Sequence, residues 1–204
     1  LVDTFLRPQS FTPLLDLTQH IPLGEGCLPS GQIDLKLTGP TAFVNIVHGC
    51  DNFCTFCIVP YRRGRERSRP VAEIVAEVEH LVAQGVRDVT LLGQKVDSYG
   101  KDLGNVDLAD LLVEVQRVDG IDRIRFLTSY PLGVTDKLVD TVASLPKVCE
   151  HINIPMQSGD DEQLALMQRG YTLAQFQDRM RAIRQRVPGV ALSTDVIVGF
   201  SGED

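Results

Sequence analysis

The stretch Ala42-Phe43-Val44-Asn45-Ile46-Val47-His48-Gly49-Cys50 reads as a short buried strand that runs into a glycine and then a cysteine. Apolar residues dominate Ala42 to Val47, as they do in a strand covered on both faces. Downstream the same unit recurs. Pro70 opens a helix, near the first turn where its missing N–H costs nothing, and the stripe Val71, Ile74, Val75, Val78, Leu81, Val82 has helical spacing up to Gly85. Val89 to Leu92 is a second strand, and Leu108, Leu111, Leu112 and Val115 mark a second helix. Ile124 to Leu127 is a third strand, followed by a helix that Thr135 caps. Ile152 to Met156 is a fourth. Leu164 and Met167 begin a short helix ended by Gly170, and Thr172 caps the next, which Pro188-Gly189 stops. Val196 to Val198 is a fifth strand.

Repeated strand–helix alternation predicts parallel strands with helical crossovers. A doubly wound sheet and a (β/α) barrel both satisfy that period. The residues after each strand favour the barrel: Gly49-Cys50, Gly93-Gln94, Thr128-Ser129-Tyr130-Pro131, Gln157-Ser158-Gly159 and Gly199-Phe200-Ser201-Gly202 are polar or glycine-rich at all five ends. In a barrel those ends converge on one face, whereas an open sheet concentrates its site at one switch point. The expected fold is α/β, a partial (β/α) TIM-like barrel over residues 41–204 that stops before its last strand or strands.

Upstream, residues 1–40 are broken by five prolines and four glycines, with one expected edge strand at Ile33 to Leu37. They read as a linker or the tail of another domain. The first residue is Leu1 rather than Met, so the expectation is a piece of a longer protein. The whole chain has 204 residues, 43% of them hydrophobic, and a net charge of −7. That composition excludes bulk disorder and a general polyanion binder, so any nucleic-acid contact must be local. No apolar run reaches the length of a membrane span and no signal peptide is visible, so the expected location is the cytoplasm.

Five cysteines are present, and three of them lie in Cys50-Asp51-Asn52-Phe53-Cys54-Thr55-Phe56-Cys57. An odd count clustered this way points to a reducing compartment and a metal or cluster site rather than a disulfide framework. Cys27 and Cys149 stand alone and are given no role. Thiolates are soft ligands for iron and zinc. Three close cysteines hold three irons of a 4Fe–4S cube and leave the fourth open to a ligand that receives an electron. Phe53 and Phe56 give the loop apolar cover. A zinc site would want a fourth ligand, usually from a second pair; His48 is near, but its strand-end place suits packing.

The C-x3-C-x2-C spacing, with Phe56 before the third cysteine, resembles the signature of the radical S-adenosylmethionine (SAM) enzymes. The text from Gly49 to Arg69 is similar to that of the methylthiotransferases, most of all the MiaB-type tRNA branch. Further similar motifs are Leu92-Gly93-Gln94, Ser98-Tyr99-Gly100, Ile154 to Gly159, Met167-Gln168-Arg169-Gly170-Tyr171-Thr172 and Thr194 to Phe200. The departures are Lys95 and Asp97 where the family commonly has Asn, Tyr130 where it has His, and Ser201 where it has Pro.

The resemblance implies that Cys50, Cys54 and Cys57 hold a 4Fe–4S cluster whose open iron binds SAM, and that one electron cleaves SAM to a 5′-deoxyadenosyl radical. It implies methylthiolation of N6-(dimethylallyl)adenosine beside the tRNA anticodon, a one-electron reductant such as flavodoxin or ferredoxin, a second 4Fe–4S cluster in an N-terminal domain and a small β-rich RNA-binding domain. SAM contacts are expected from Phe56, Gly93, Gln94, Ser129, Gln157, Ser158, Ile197 and Gly199. Arg62, Arg63, Arg65, Arg67 and Arg69 stand against one Glu66, and their forked donors suit RNA phosphates. Two rivals remain. One is a methylthiotransferase acting on a threonylcarbamoyl-type tRNA adenosine or a ribosomal protein. The other is a non-catalytic module holding zinc or an electron-transferring cluster.

Overall fold

The computed structural model describes residues 39–203; the expected edge strand at 33–37, Cys27 and nearly all of the expected linker lie outside them. Its elements in chain order are β1 (Thr41–Asn45), β2 (Val47–His48), α1 (Val59–Arg63), β3 (Arg67–Ser68), α2 (Val71–Ala83), β4 (Asp88–Leu92), a 3-10 turn (Val96–Ser98), α3 (Leu108–Gln116), β5 (Arg123–Phe126), α4 (Asp136–Ser144), β6 (His151–Asn153), α5 (Asp161–Leu166), α6 (Leu173–Arg186) and β7 (Ala191–Ser193).

The long strands run parallel and neighbour one another in chain order. β1 pairs with β4 (Val44 opposite Leu91), and β4 pairs with β5 (Leu91 opposite Phe126). An isolated parallel bridge, Ile124 to Val148, and the Ser129 N–H to the Asn153 carbonyl (3.0 Å) carry the wall from β5 to β6. β6 then pairs with β7. A doubly wound sheet would reverse direction about its first strand. Here each new strand extends the same edge, which is the winding of a partial barrel.

The apolar side of this wall packs on the helices. Val44, Leu91, Ile124 and Phe126 are fully buried, together with Ile74 and Val78 of α2, Leu111 and Leu112 of α3 and Val139 of α4. Each such side chain contributes about 1.5–3 kcal/mol by leaving water. Helix starts follow the expected caps. Thr135 accepts from the Leu138 N–H, and Thr172 forms a reciprocal pair of bonds with Gln175.

The first strand is shorter than expected. After Ile46, whose N–H still reaches the Leu92 carbonyl (2.9 Å), the chain changes partner and β2 pairs antiparallel with β3. The fourth strand also ends early, before Pro155, which has no N–H for a ladder. The fifth strand is corrected in position: it is Ala191–Ser193, because the chain enters the sheet directly after Pro188-Gly189. Val196 keeps only an isolated bridge to Gln157, and Val198 is 83% exposed. The helix expected from Leu164 starts at Asp161, capped by the Asp160 side chain. The short helix α1 was not foreseen.

Candidate active site

The cysteine loop leaves the top of β2 at Gly49. This residue sits at φ +76°, and a Cβ there would run into the Arg65 backbone carbonyl, so only glycine fits the turn. The Cys50 N–H donates to the Gly64 carbonyl (3.1 Å). Asp51 and Glu66 exchange bonds, each backbone N–H donating to the other's carboxylate at 3.2 Å. The far side of the loop is tied to the end of α5. The Thr55 N–H reaches the Met167 carbonyl (3.2 Å) and its hydroxyl donates to the Leu166 carbonyl (2.9 Å). The Cys57 N–H closes the last turn on the Cys54 carbonyl (3.0 Å).

These anchors bring Cys50, Cys54 and Cys57 to one hollow of about 150 Å³ at the strand ends. Phe56, Gln94, Ser129 and Gln157, all expected from the sequence, line it too. Phe56 also meets Phe200 edge to face. Four other expected residues are not in the lining. Gly93 packs against Val47, the Ser158 hydroxyl accepts from the Asp160 N–H (3.2 Å), the Ile197 N–H donates to the Gln157 carbonyl (2.9 Å), and Gly199 turns at φ +71° with open space beside it.

Two residues of the lining hold left-handed backbone without being glycine: Thr128 and Gln157, each at φ 70°. For a β-branched Thr this conformation costs on the order of 1–2 kcal/mol. The Ser129 hydroxyl is buried and has no hydrogen-bond partner among the described residues. An orphaned hydroxyl between strained strand ends fits a site that completes its bonding with a ligand.

Sequence reasoning did not place Asn52, Lys95, Tyr130 or Arg169 in this hollow. Lys95 is buried and pairs with Glu66 (3.2 Å) and with Asn52 Oδ1 (3.1 Å). Tyr130 carries Lys95 and Arg169 over its ring, and burial pushes its phenol up to about 12. Burial likewise pushes the Cys50 thiol up, so the thiol needs a metal's charge to become a ligand. The signal was present for Lys95 and Tyr130, which depart from the family pattern, and for Arg169, which lies within the motif Met167 to Thr172.

The donor set fits an iron–sulfur cube. The three cysteines are free thiols around one hollow. Among the described residues, no three His, Cys, Asp or Glu side chains converge tightly enough for a single metal ion. A cube offers separate irons to separate thiolates, so it asks for soft ligands that are spread out.

Of the five expected arginines, Arg62 and Arg63 lie exposed on the last turn of α1 and Arg67 is exposed on β3. Arg65 is exposed and bonds Asp51 (3.1 Å). Arg69 differs: it is partly buried and bonds Glu77 (2.6 Å) and the Asn45 carbonyl (2.8 Å). Phe53 and Tyr61 stand exposed beside Arg62, their rings edge to face at 5.7 Å. A larger groove of about 500 Å³ lies between α6 and β6–β7, lined by Ile154, Met156, Phe176, Met180 and Leu192. Its described lining has no thiol or carboxylate, whereas the smaller hollow gathers three thiols. Among the described residues no helix is long and apolar enough to cross a membrane.

Residues 44–204 match the family model described as the Radical SAM superfamily. The chain is similar to a tRNA-2-methylthio-N(6)-dimethylallyladenosine synthase of Dictyoglomus thermophilum, 51% identical over 100% of this chain and 48% of the relative. A synthase of the same name from Hahella chejuensis is also 51% identical, over 99% of this chain and 48% of its own. The chain therefore spans about half the length of these curated relatives. Among solved structures, the radical S-adenosylmethionine methyltransferase TsrM from Kitasatospora setae superposes with a TM-score of 0.63 at 23% identity, over 81% of this chain and 32% of that one. This last likeness concerns the fold.

Proposed function

The chain belongs to the Radical SAM superfamily, and on that premise we propose that it is the SAM-cleaving core of a tRNA methylthiotransferase. The observation that supports this reading is the gathering of Cys50, Cys54 and Cys57 around one hollow at the strand ends. These three thiolates would hold a 4Fe–4S cluster with one open iron for the amino and carboxylate groups of SAM. When bound, the cluster supplies the single electron for reductive cleavage of SAM. Phe56 screens the site from water, Gln94 faces the SAM amino group, and Ser129 and Gln157 offer polar groups to its ribose or carboxylate. In the proposed protein a second cluster, held by another domain, serves sulfur delivery.

The proposed substrate is N6-(dimethylallyl)adenosine beside the anticodon, as the names of the similar synthases suggest. Arg62, Arg63, Arg65 and Arg67 suit the phosphates of the anticodon stem-loop, and Phe53 with Tyr61 suits stacking on unpaired bases. The electron comes from a low-potential carrier such as flavodoxin or ferredoxin. An oxygen-sensitive cluster beside free thiols suits the reducing cytoplasm.

Anaerobic reconstitution with iron and sulfide, followed by electron paramagnetic resonance of the reduced protein, tests this reading. The expected result is a 4Fe–4S signal that changes on adding SAM. No iron uptake, or a signal indifferent to SAM, overturns it.

A further inference from the structure

Arg169 is 7% exposed, and its guanidinium bonds a phenol, a thiol and a backbone carbonyl rather than a carboxylate. Its Nε donates to the Tyr171 hydroxyl (3.2 Å), Nη2 to the Pro155 carbonyl (3.1 Å) and Nη1 to Cys54 Sγ (3.4 Å). The guanidinium also lies against two rings, 4.8 Å from the centre of Tyr130 and 5.3 Å from that of Tyr171. Tyr171 holds the arrangement, since its hydroxyl donates to the Met156 carbonyl (2.6 Å). A guanidinium stays charged at any working pH, and a buried charge is costly unless an opposite charge meets it. The other buried cation of the hollow, Lys95, has its carboxylate in Glu66. Arg169 faces a sulfur instead.

We propose that Arg169 is a positioning residue that tunes the cluster: its N–H donated to the Cys54 sulfur, and its fixed positive charge, raise the cluster's reduction potential. This rests on the cluster-binding reading above. An N–H bond to a ligand sulfur draws electron density from it and favours the reduced cluster, which carries one more negative charge. In a buried site the guanidinium's charge acts on that electron at low dielectric. The anion that Arg169 lacks is then the thiolate-bound cluster itself.

The test is a redox titration of the reconstituted chain with dithionite, following the SAM-sensitive resonance signal. Arg169→Met is expected to lower the ratio of reduced to oxidised cluster at a fixed potential about tenfold, equivalent to about 59 mV for a one-electron couple. Arg169→Lys keeps the charge and loses the fork, so it falls between wild type and Met. Tyr171→Phe removes the acceptor of the Arg169 Nε and shifts the potential the same way by less. If the Met variant does not load its cluster, the Lys and Phe variants decide. Potentials unmoved in every variant that loads overturn the proposal, while the loaded wild type leaves the parent reading standing. A wild type that takes up no iron overturns both.

Discussion

Asp97 has one carboxylate oxygen bonded and one not. Its Oδ1 accepts the Tyr130 N–H (2.6 Å), while Oδ2 is buried against Gly133 with no hydrogen-bond partner among the described residues. Burial raises its pKa from 3.8 to about 6. The neutral acid is thus favoured in the folded state. Its contribution to stability is fully present below about pH 4, where the unfolded chain is also protonated, and is lost as pH rises through 6. Asp97→Asn should flatten this slope and, at about 1.4 kcal/mol per pKa unit between 3.8 and about 6, stabilise the fold by roughly 3 kcal/mol at pH 7. Denaturant midpoints between pH 4 and 7 measure it, and a variant with the wild-type slope refutes it. Arg169 and Lys95 show the limit of legibility at this scale. The cysteines were readable because their spacing is local. The partners of Arg169 and Lys95 were not, since Cys54 lies 115 residues from Arg169 and Asn52 lies 43 from Lys95.

The loop from Gly49 to Cys57 works as an element because both sides are tied down, by Gly64 to Glu66 on one flank and by Leu166 and Met167 on the other. Gly49→Ala puts a side chain in left-handed backbone, which costs on the order of 1 kcal/mol, before counting its collision with the Arg65 carbonyl. Cys50 must then shift. Iron bound per chain after reconstitution should fall below half of wild type, and full loading would contradict this account. The helices that Thr135 and Thr172 cap were legible because caps and stripes are written in neighbouring residues, whereas the start at Asp161 and the short α1 were not. Strand limits were less so. Val196 to Val198 has a strand's composition, yet the sheet takes Ala191–Ser193, because pairing to β6 is decided across the fold.

At the scale of the molecule, the exposed arginines follow the cysteine loop directly in the chain, and the ring pair Phe53–Tyr61 joins that loop to α1. The net charge of −7 leaves this basic segment as a local attraction for a polyanion. Arg62→Ala with Arg63→Ala should weaken binding of a tRNA anticodon stem-loop and lower the salt slope of log K by about 1.4, two contacts at about 0.7 each. Filter binding over a range of salt concentrations measures both; an unchanged slope removes these arginines from the interface. The barrel winding was legible from the strand–helix alternation together with the strand-end residues. The parallel neighbours in chain order agree with it.

Asp51 joins these scales. Its Oδ1 takes both the Arg65 Nε and the Glu66 N–H, and its own N–H, one residue after Cys50, is held by Glu66. A phosphate that draws Arg65 away alters the bonds that seat the first cysteine. If the arginine surface takes a polyanion as proposed, its occupancy and that of the hollow are thermodynamically linked. Whatever factor a bound polyanion imposes on the hollow's affinity for its ligand, that ligand returns to the polyanion in equal measure.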